Sequence, residues 1–341
     1  MKKAFLFFLV GIVSLALILT GCSSSNSSSS SGGSSGDEKD TFKGTVNLGI
    51  SSWIGFAPMY LAEEKGFFKD HGVNVKLQTI QSASDRRSAM AANRIQGFMT
   101  TVDTHVMTAA ADIPVYQVLA LDTSSGGDGI VAKKEIKTFK DLKGKRVAID
   151  TSGGASYFWF MYMLDQNGMS MDDVKVVNMS AGDAGAAFVG GKVDAAVTWQ
   201  PWLTKAENTK FGHVLLSSDK TPGLIVDSLG LRKDFVDKNP KLVQGIVDAW
   251  YDALDYMKKN PDDANKIMAK SMGQTVEEFK ATESDVTFYD QAGNEKYFGT
   301  KDKPGLIYGV TEKASDFWMK VKLINKQPKA SDLINGDFVS K

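Results

Sequence analysis

From residue 46 onward, short β-type runs alternate with helical stretches, and this alternation most narrows the folds open to the chain. Val46, Leu48 and Ile50 read as a buried strand. Pro58 suits the first turn of a helix carrying Met59, Leu61 and Ala62, and Gly66 is placed to stop it. Val73, Val75 and Leu77 alternate as a second strand. Residues 85–93 are helical, 95–101 form a strand, Asp103 or Thr104 can cap a helix running to Ala110, and 115–121 form the next strand. The pattern returns with strands at 146–149, 174–177, 195–199 and 214–216, and a helix runs from caps at 152–156 to Asn167. Strands separated by helices imply largely parallel sheets, because parallel neighbours need a crossover connection. About 300 residues exceed a single hydrophobic core, so two domains are expected. After Gly230 the pattern changes. Pro240–Lys259 is a long amphipathic helix, and 262–270, 276–281 and 306–319 are also helical. No strand is evident there, so these helices are expected to wrap back on the first domain.

The N-terminus carries a separate constraint. Lys2 and Lys3 precede an apolar run, 4–19, broken only by Gly11 and Ser14. These are features of a secretory signal, and the run is borderline for a membrane span, which needs about 20 apolar residues. Its ending, Leu19-Thr20-Gly21-Cys22, resembles the lipobox of bacterial lipoproteins, in which the cysteine is lipidated and becomes the mature N-terminus. An uncleaved signal anchor is the competing reading. Residues 23–36 are only Ser, Asn and Gly; such a coil has an r.m.s. reach of roughly 20 Å. The linker is expected to continue to residue 44. Cys22 is the sole cysteine, which leaves the folded part without a disulfide, a thiolate metal site or a cysteine nucleophile. The chain has 40 basic and 40 acidic residues, and removing Lys2 and Lys3 leaves 38 against 40. A net charge near −2 offers no footprint for nucleic acid.

Catalytic constellations are thin. His71, His105 and His213 share no metal-binding spacing, and there is no GxSxG elbow, P-loop or GxGxxG. The informative residues lie at the carboxyl ends of strands, where open α/β sheets bind ligands. Ser52 and Trp53 follow the first strand, Thr100, Thr101 and Asp103 the third, and Asp122 and Asp128 flank the loop after the fourth. Thr151 and Ser152 follow another strand, and Trp199, Gln200 and Trp202 another. Small polar and aromatic residues together suit a cleft for a small polar molecule. Asp103, Thr151 and Ser152 read equally well as helix caps. Trp53, Trp199 and Trp202 are placed where core packing does not call for tryptophan, so they are candidates for the cleft wall. Asp194 reads as a turn residue.

Three segments together are specific. They are Gly49-Ile50-Ser51-Ser52-Trp53 with Leu61-Ala62-Glu63-Glu64-Lys65-Gly66-Phe67-Phe68, then Asp141-Leu142-Lys143-Gly144-Lys145-Arg146-Val147, then Gly191-Lys192-Val193-Asp194-Ala195-Ala196 running to Trp199-Gln200-Pro201-Trp202. Over about residues 45–325 the chain resembles extracytoplasmic substrate-binding proteins of ABC importers, of the nitrate/sulfonate/taurine type. The resemblance implies a two-lobed, type II periplasmic-binding-protein-like α/β fold. Each lobe would be a mostly parallel sheet flanked by helices, and two hinge strands would let the lobes close on ligand. The hinges are expected near 129–132 and 224–231, with 45–130 plus 229–341 as lobe 1 and 131–228 as lobe 2. The same resemblance implies a monomeric receptor that is not an enzyme and carries no cofactor or metal. It would be anchored through Cys22 to the outer face of the bacterial cytoplasmic membrane, with a permease and its ATPase as partners.

Ligand type is less constrained. The helix start at 151–156 offers free N–H groups and positive potential to an anion such as a sulfonate. Taurine-type members carry an acid where this chain has Gln200, which argues against taurine. Asp103, Asp122, Asp128 and Asp227 lie at cleft or hinge loops with no Lys or Arg among them, an arrangement suited to a cation held against tryptophan faces. The segments 100–104, 122–128 and 222–227 resemble the family branch linked to urea and guanidine carboxylase operons. The expected ligand is therefore a small nitrogen-containing molecule of guanidinium, amine or pyrimidine type, with taurine or another alkanesulfonate as the alternative. An enzyme on the same fold, like the yeast-type pyrimidine-synthesis proteins, would need a cysteine-rich motif that is absent here. A surface sensor with the same binding step is indistinguishable by sequence.

Overall fold

The computed structural model describes residues 40–340. The signal segment, Cys22 and the Ser/Gly run lie outside the described residues. Within the span read as linker, Asn239 Oδ1 accepts hydrogen bonds from the backbone N–H groups of Thr41 (2.9 Å) and Phe42 (2.6 Å), and the Phe42 ring meets Phe235 edge-on. Among the described residues no helix is long and apolar enough to cross a membrane.

Eleven strands among the described residues form two sheets. The first contains β1 (Val46–Ile50), β2 (Val75–Thr79), β3 (Gly97–Thr101), β4 (Val115–Ser124), β10 (Val226–Arg232) and β11 (Val286–Phe288), in the order β11-β4-β10-β3-β1-β2. The second contains β5 (Asp128–Lys133), β6 (Arg146–Ile149), β7 (Lys175–Asn178), β8 (Ala195–Trp199) and β9 (Gly212–Ser217), in the order β7-β6-β8-β5-β9.

The expected α/β class is present, but the sheets are mixed rather than mostly parallel. β1 runs parallel to β2 and β3, and β6 runs parallel to β7 and β8, as crossover connections require. β10 is antiparallel to β3 and β4, and β5 is antiparallel to β8 and β9. β5 and β10 enter their sheets directly from the other sheet, without a helical crossover, which frees them from the parallel arrangement. The chain passes between sheets at 125–127 and 218–225, while 129–132 lies wholly in the second sheet and 226–231 in the first. β11 interrupts the region expected to be helical. At three residues it is too short to show an alternating pattern.

The helices that frame the site are α1 (Ala57–Lys65), α2 (Ala83–Ala91), α3 (Val102–Ala110), α4 (Ala155–Gln166), α5 (Ala181–Val189), α6 (Pro240–Lys259) and α7 (Leu306–Lys320). In α6, Val243, Ile246, Val247, Trp250, Ala253 and Leu254 form one buried stripe at helical spacing. Full burial stabilises by roughly 1.5–3 kcal/mol per large apolar side chain, so this stripe holds the late helix on the core under β1 and α1. α7 packs across the carboxyl-end region instead. Trp318 stacks on Tyr157 of α4 at 6.0 Å, and its indole N–H donates to the Asp103 carbonyl at 3.2 Å.

Candidate functional site

The carboxyl ends of β1 and β3, the starts of β5 and β10, and the end of β8 converge on one small cavity of about 40 Å³, on the order of a few water molecules. Trp53 follows β1 and is buried; its indole N–H donates to Asp122 Oδ1 at 3.0 Å. Asp122 on β4 stands directly opposite Asp227 on β10, and Asp227 is in turn opposite Thr101 on β3. Asp128 opens β5, opposite Trp199 at the end of β8. Trp53, Asp128, Trp199 and Asp227 all line the cavity.

Two wall elements come from helix starts. Arg86 of α2 is buried and lines the cavity. Its Nη1 donates to the carbonyls of Ile80 and Gln81. Burial lowers its pKa to about 10, against the opposing charge of Asp227, so it stays cationic at neutral pH. The second element is the start of α4, reached through Gly153 (φ 106°) and Gly154 (φ 99°). These left-handed conformations favour glycine, and they let the chain turn so that Ser156 faces the cavity.

Four buried polar atoms of the wall have no hydrogen-bond partner: Arg86 Nε, Asp128 Oδ1, Ser156 Oγ and Trp199 Nε1. Buried polar groups are nearly always paired. This wall therefore has donors and an acceptor waiting for a polar guest. A carboxylate, two nitrogen donors and a hydroxyl can bind and orient such a guest between aromatic faces. Among the described residues no three His, Cys, Asp or Glu side chains are placed to hold a metal ion.

The carboxylates are strongly perturbed. Burial, with the neighbouring Asp103 charge adding to it, pushes Asp128 up to about 7, and a hydrogen bond with Ser124 opposes the shift. Burial raises Asp103 to about 6. Asp122 and Asp227, facing each other, are both pushed up by burial and by adjacent carboxylates. All four bind protons more tightly folded than unfolded, where an aspartate titrates near 3.9. Stability of the ligand-free protein is therefore expected to be present at pH 4–5 and to fall as pH rises through about 8. A urea midpoint that is higher at pH 8 than at pH 5 would contradict this.

Other expected site residues lie elsewhere. Asp122 sits behind the wall, with Oδ2 so close to Gly55 that a Cβ there would collide with it. Asp103 is buried in the first turn of α3 near Thr101 and Thr104, off the cavity, where a helix start favours a carboxylate. Ser52 is tied to Gln81 at 3.2 Å. The Thr151 N–H donates to Asn178, and the Ser152 hydroxyl donates to Asp150 at 2.6 Å. Neither residue is among those that line the cavity. Gln200 Nε2 donates to Asp285 Oδ2 at 2.8 Å, and its Oε1 accepts from Thr204. Trp202 packs over Gly185 of α5, with the Lys205 ammonium 4.9 Å from its ring; it is not among the residues that line the cavity.

Sequence reasoning missed Arg86, and it included Ser156 only as part of the helix start at 151–156. The expectation that no Arg lies among the carboxylates is therefore corrected. A signal existed: Ala83, Arg86, Ala89 and Met90 share the buried face of α2. Helical spacing alone turns Arg86 inward, away from exposed neighbours.

The family described as NMT1/THI5 like matches residues 53–264, a span that includes the wall from Trp53 to Asp227. This chain belongs to the NMT1/THI5-like family. Relatives of this NMT1/THI5-like protein include a putative aliphatic sulfonates-binding protein of Bacillus subtilis, 26% identical over 100% of this chain and 97% of the relative. The taurine-binding periplasmic protein of Escherichia coli is 25% identical, over 65% of this chain and 69% of its own length. The crystal structure of the periplasmic aliphatic sulphonate binding protein SsuA from Escherichia coli superposes with a TM-score of 0.69 at 18% identity, covering 85% of this chain and 97% of that one. The periplasmic-binding-protein fold is thereby shown.

Proposed function

We propose that this chain is the extracytoplasmic ligand-binding component of an ABC importer, and that it captures a small nitrogen-bearing cation. The cationic group would lie between Trp53 and Trp199 against Asp128 and Asp227. The observation that carries this reading is the unpaired Asp128 carboxylate oxygen on a buried, aromatic cavity wall, beside a second buried carboxylate. A cation supplies the missing donor and charge, and the tryptophan faces add attraction. Relatives are named as binding proteins for sulfonates and taurine, which supports a binding role over catalysis. The two sheets would act as lobes hinged at 125–127 and 218–225. Anchoring through Cys22, a monomeric state, and a permease with its ATPase complete the proposal.

A second reading has its own support. Arg86 Nε, Trp199 Nε1 and Ser156 Oγ are unpaired donors on the wall, and Ser156 stands in the first turn of α4, which suits the oxygens of an alkanesulfonate. Taurine, with an ammonium and a sulfonate, would use both halves of the wall. A thermal-shift screen separates the readings, with guanidinium, ethylammonium, pyrimidine bases, taurine and ethanesulfonate as probes. A ligand at a hundred times its Kd contributes about 2.7 kcal/mol, roughly 5 °C in Tm. Shifts are expected with nitrogen cations. A shift with ethanesulfonate and none with any nitrogen compound would overturn the cationic reading.

A further inference from the structure

We propose that binding at this cleft is a proton exchange: without ligand, the carboxyl groups of Asp122, Asp128 and Asp227 retain protons, and entry of a cationic nitrogen releases at least one to solvent. The inference rests on the cationic reading above. It stands on the placement of three carboxyl groups in one buried cluster. Asp122 is 0% exposed, Asp128 2% and Asp227 4%. Asp122 and Asp227 are direct cross-strand neighbours, and Asp128 begins the strand that leaves the end of β4. Adjacent carboxylates in a low-dielectric site cannot all ionise.

The surrounding elements supply too little positive charge to change that. α2 contributes Arg86, at the wall, and Arg87, whose Nη2 is turned to the Ser152 carbonyl at 2.9 Å. α3 contributes Asp103 and His105; the His105 ring, bonded to the Ser228 carbonyl, is driven down to about 4 by burial and carries no charge at neutral pH. Asp150 faces both arginines from the turn after β6. Tyr289, next to Asp122, is pushed up to about 12 by burial and stays neutral. Asp285 is engaged by Gln200. Outside the cluster itself, the donors to its carboxyls that the described residues show are the Trp53 indole N–H on Asp122 and the Ser124 hydroxyl on Asp128, while Asp122 and Asp227 share a hydrogen bond with each other. Asp122 Oδ2 and Asp128 Oδ1 have none.

The balance is simple. Each released proton leaves an O–H bond of a carboxylic acid and passes to the buffer, and the incoming cation replaces its charge. No oxidant or co-reactant is needed. An anionic ligand would act in the opposite direction and hold the protons in place.

Calorimetry with guanidinium, ethylammonium, taurine and ethanesulfonate at pH 6.5, in phosphate and in Bis-Tris, with Bis-Tris itself titrated as a control, reads the exchange from the dependence of the heat on buffer ionisation. Release of half a proton or more per bound nitrogen compound is expected, with affinity rising up to tenfold per pH unit between pH 6 and 7. Asp122→Asn is expected to reduce the release. Binding of a nitrogen compound with no buffer dependence overturns the exchange and leaves the cationic reading intact. Heat from ethanesulfonate alone overturns the cationic reading itself. A measurement without ligand guards against a panel that lacks the true guest. In the protein labelled with carbon-13 at the aspartate carboxyls, at least one of the three signals, assigned with single Asn variants, should still report a protonated acid at pH 6. Three ionised carboxylates at that pH would overturn the proposal.

Discussion

Asp128→Asn and Asp227→Asn should each weaken a cationic ligand by about 2–3 kcal/mol, roughly 30- to 150-fold, the scale of a buried charge-assisted hydrogen bond that loses its charge. Asparagine keeps the shape of the wall, so lost affinity reports charge and not volume. Unfolding is not a competing explanation. Both carboxyls have raised pKa values, so a neutral amide should leave the ligand-free protein as stable or more stable above pH 7. Titration calorimetry gives the affinity, and a urea melt at pH 8 gives the stability. Unchanged affinity in both variants, or tighter binding, would remove the carboxylates from the binding site and favour a sulfonate held by Arg86, Ser156 and Trp199.

Trp53→Ala should cost about 3–5 kcal/mol of stability, as for other large buried aromatic side chains. The ring belongs to the main core cluster and is also the cavity wall. It donates to Asp122 as well, so its removal leaves a buried carboxyl oxygen without a partner. Trp53→Phe separates the two contributions. Phenylalanine keeps much of the packing but lacks the N–H, and a loss of about 1–3 kcal/mol assigns that part to the hydrogen bond. Denaturant midpoints read both. A cost below about 1 kcal/mol for the alanine variant would contradict the packing seen around the indole. By contrast, Trp202 lies over Gly185 and away from the cavity.

Much of the architecture is legible in the residues themselves. The helix Pro240–Lys259 and the strands Arg146–Ile149 and Ala195–Trp199 coincide with their apolar patterns, because local periodicity and caps act over a few neighbours. The glycines at 153 and 154 mark the sharp entry to α4. Strand ends likewise point to Trp53, Asp128, Trp199 and Asp227. The remaining site residues could not be sorted that way. Thr151, Ser152 and Gln200 have the chemistry of ligand contacts, yet nearby partners engage their polar groups, and such short-range satisfaction depends on how loops meet.

Composition and order of residues by themselves determined the α/β class and a family of ligand receptors. Tertiary structure alone decided which charges meet. Asp122 and Asp227 are 105 positions apart in sequence and become neighbours only because β10 enters between β3 and β4. Arg86 joins them because α2 buries the face that carries it. Charge in a protein acts through distance and burial, and neither is written in the sequence at the point where the charge stands.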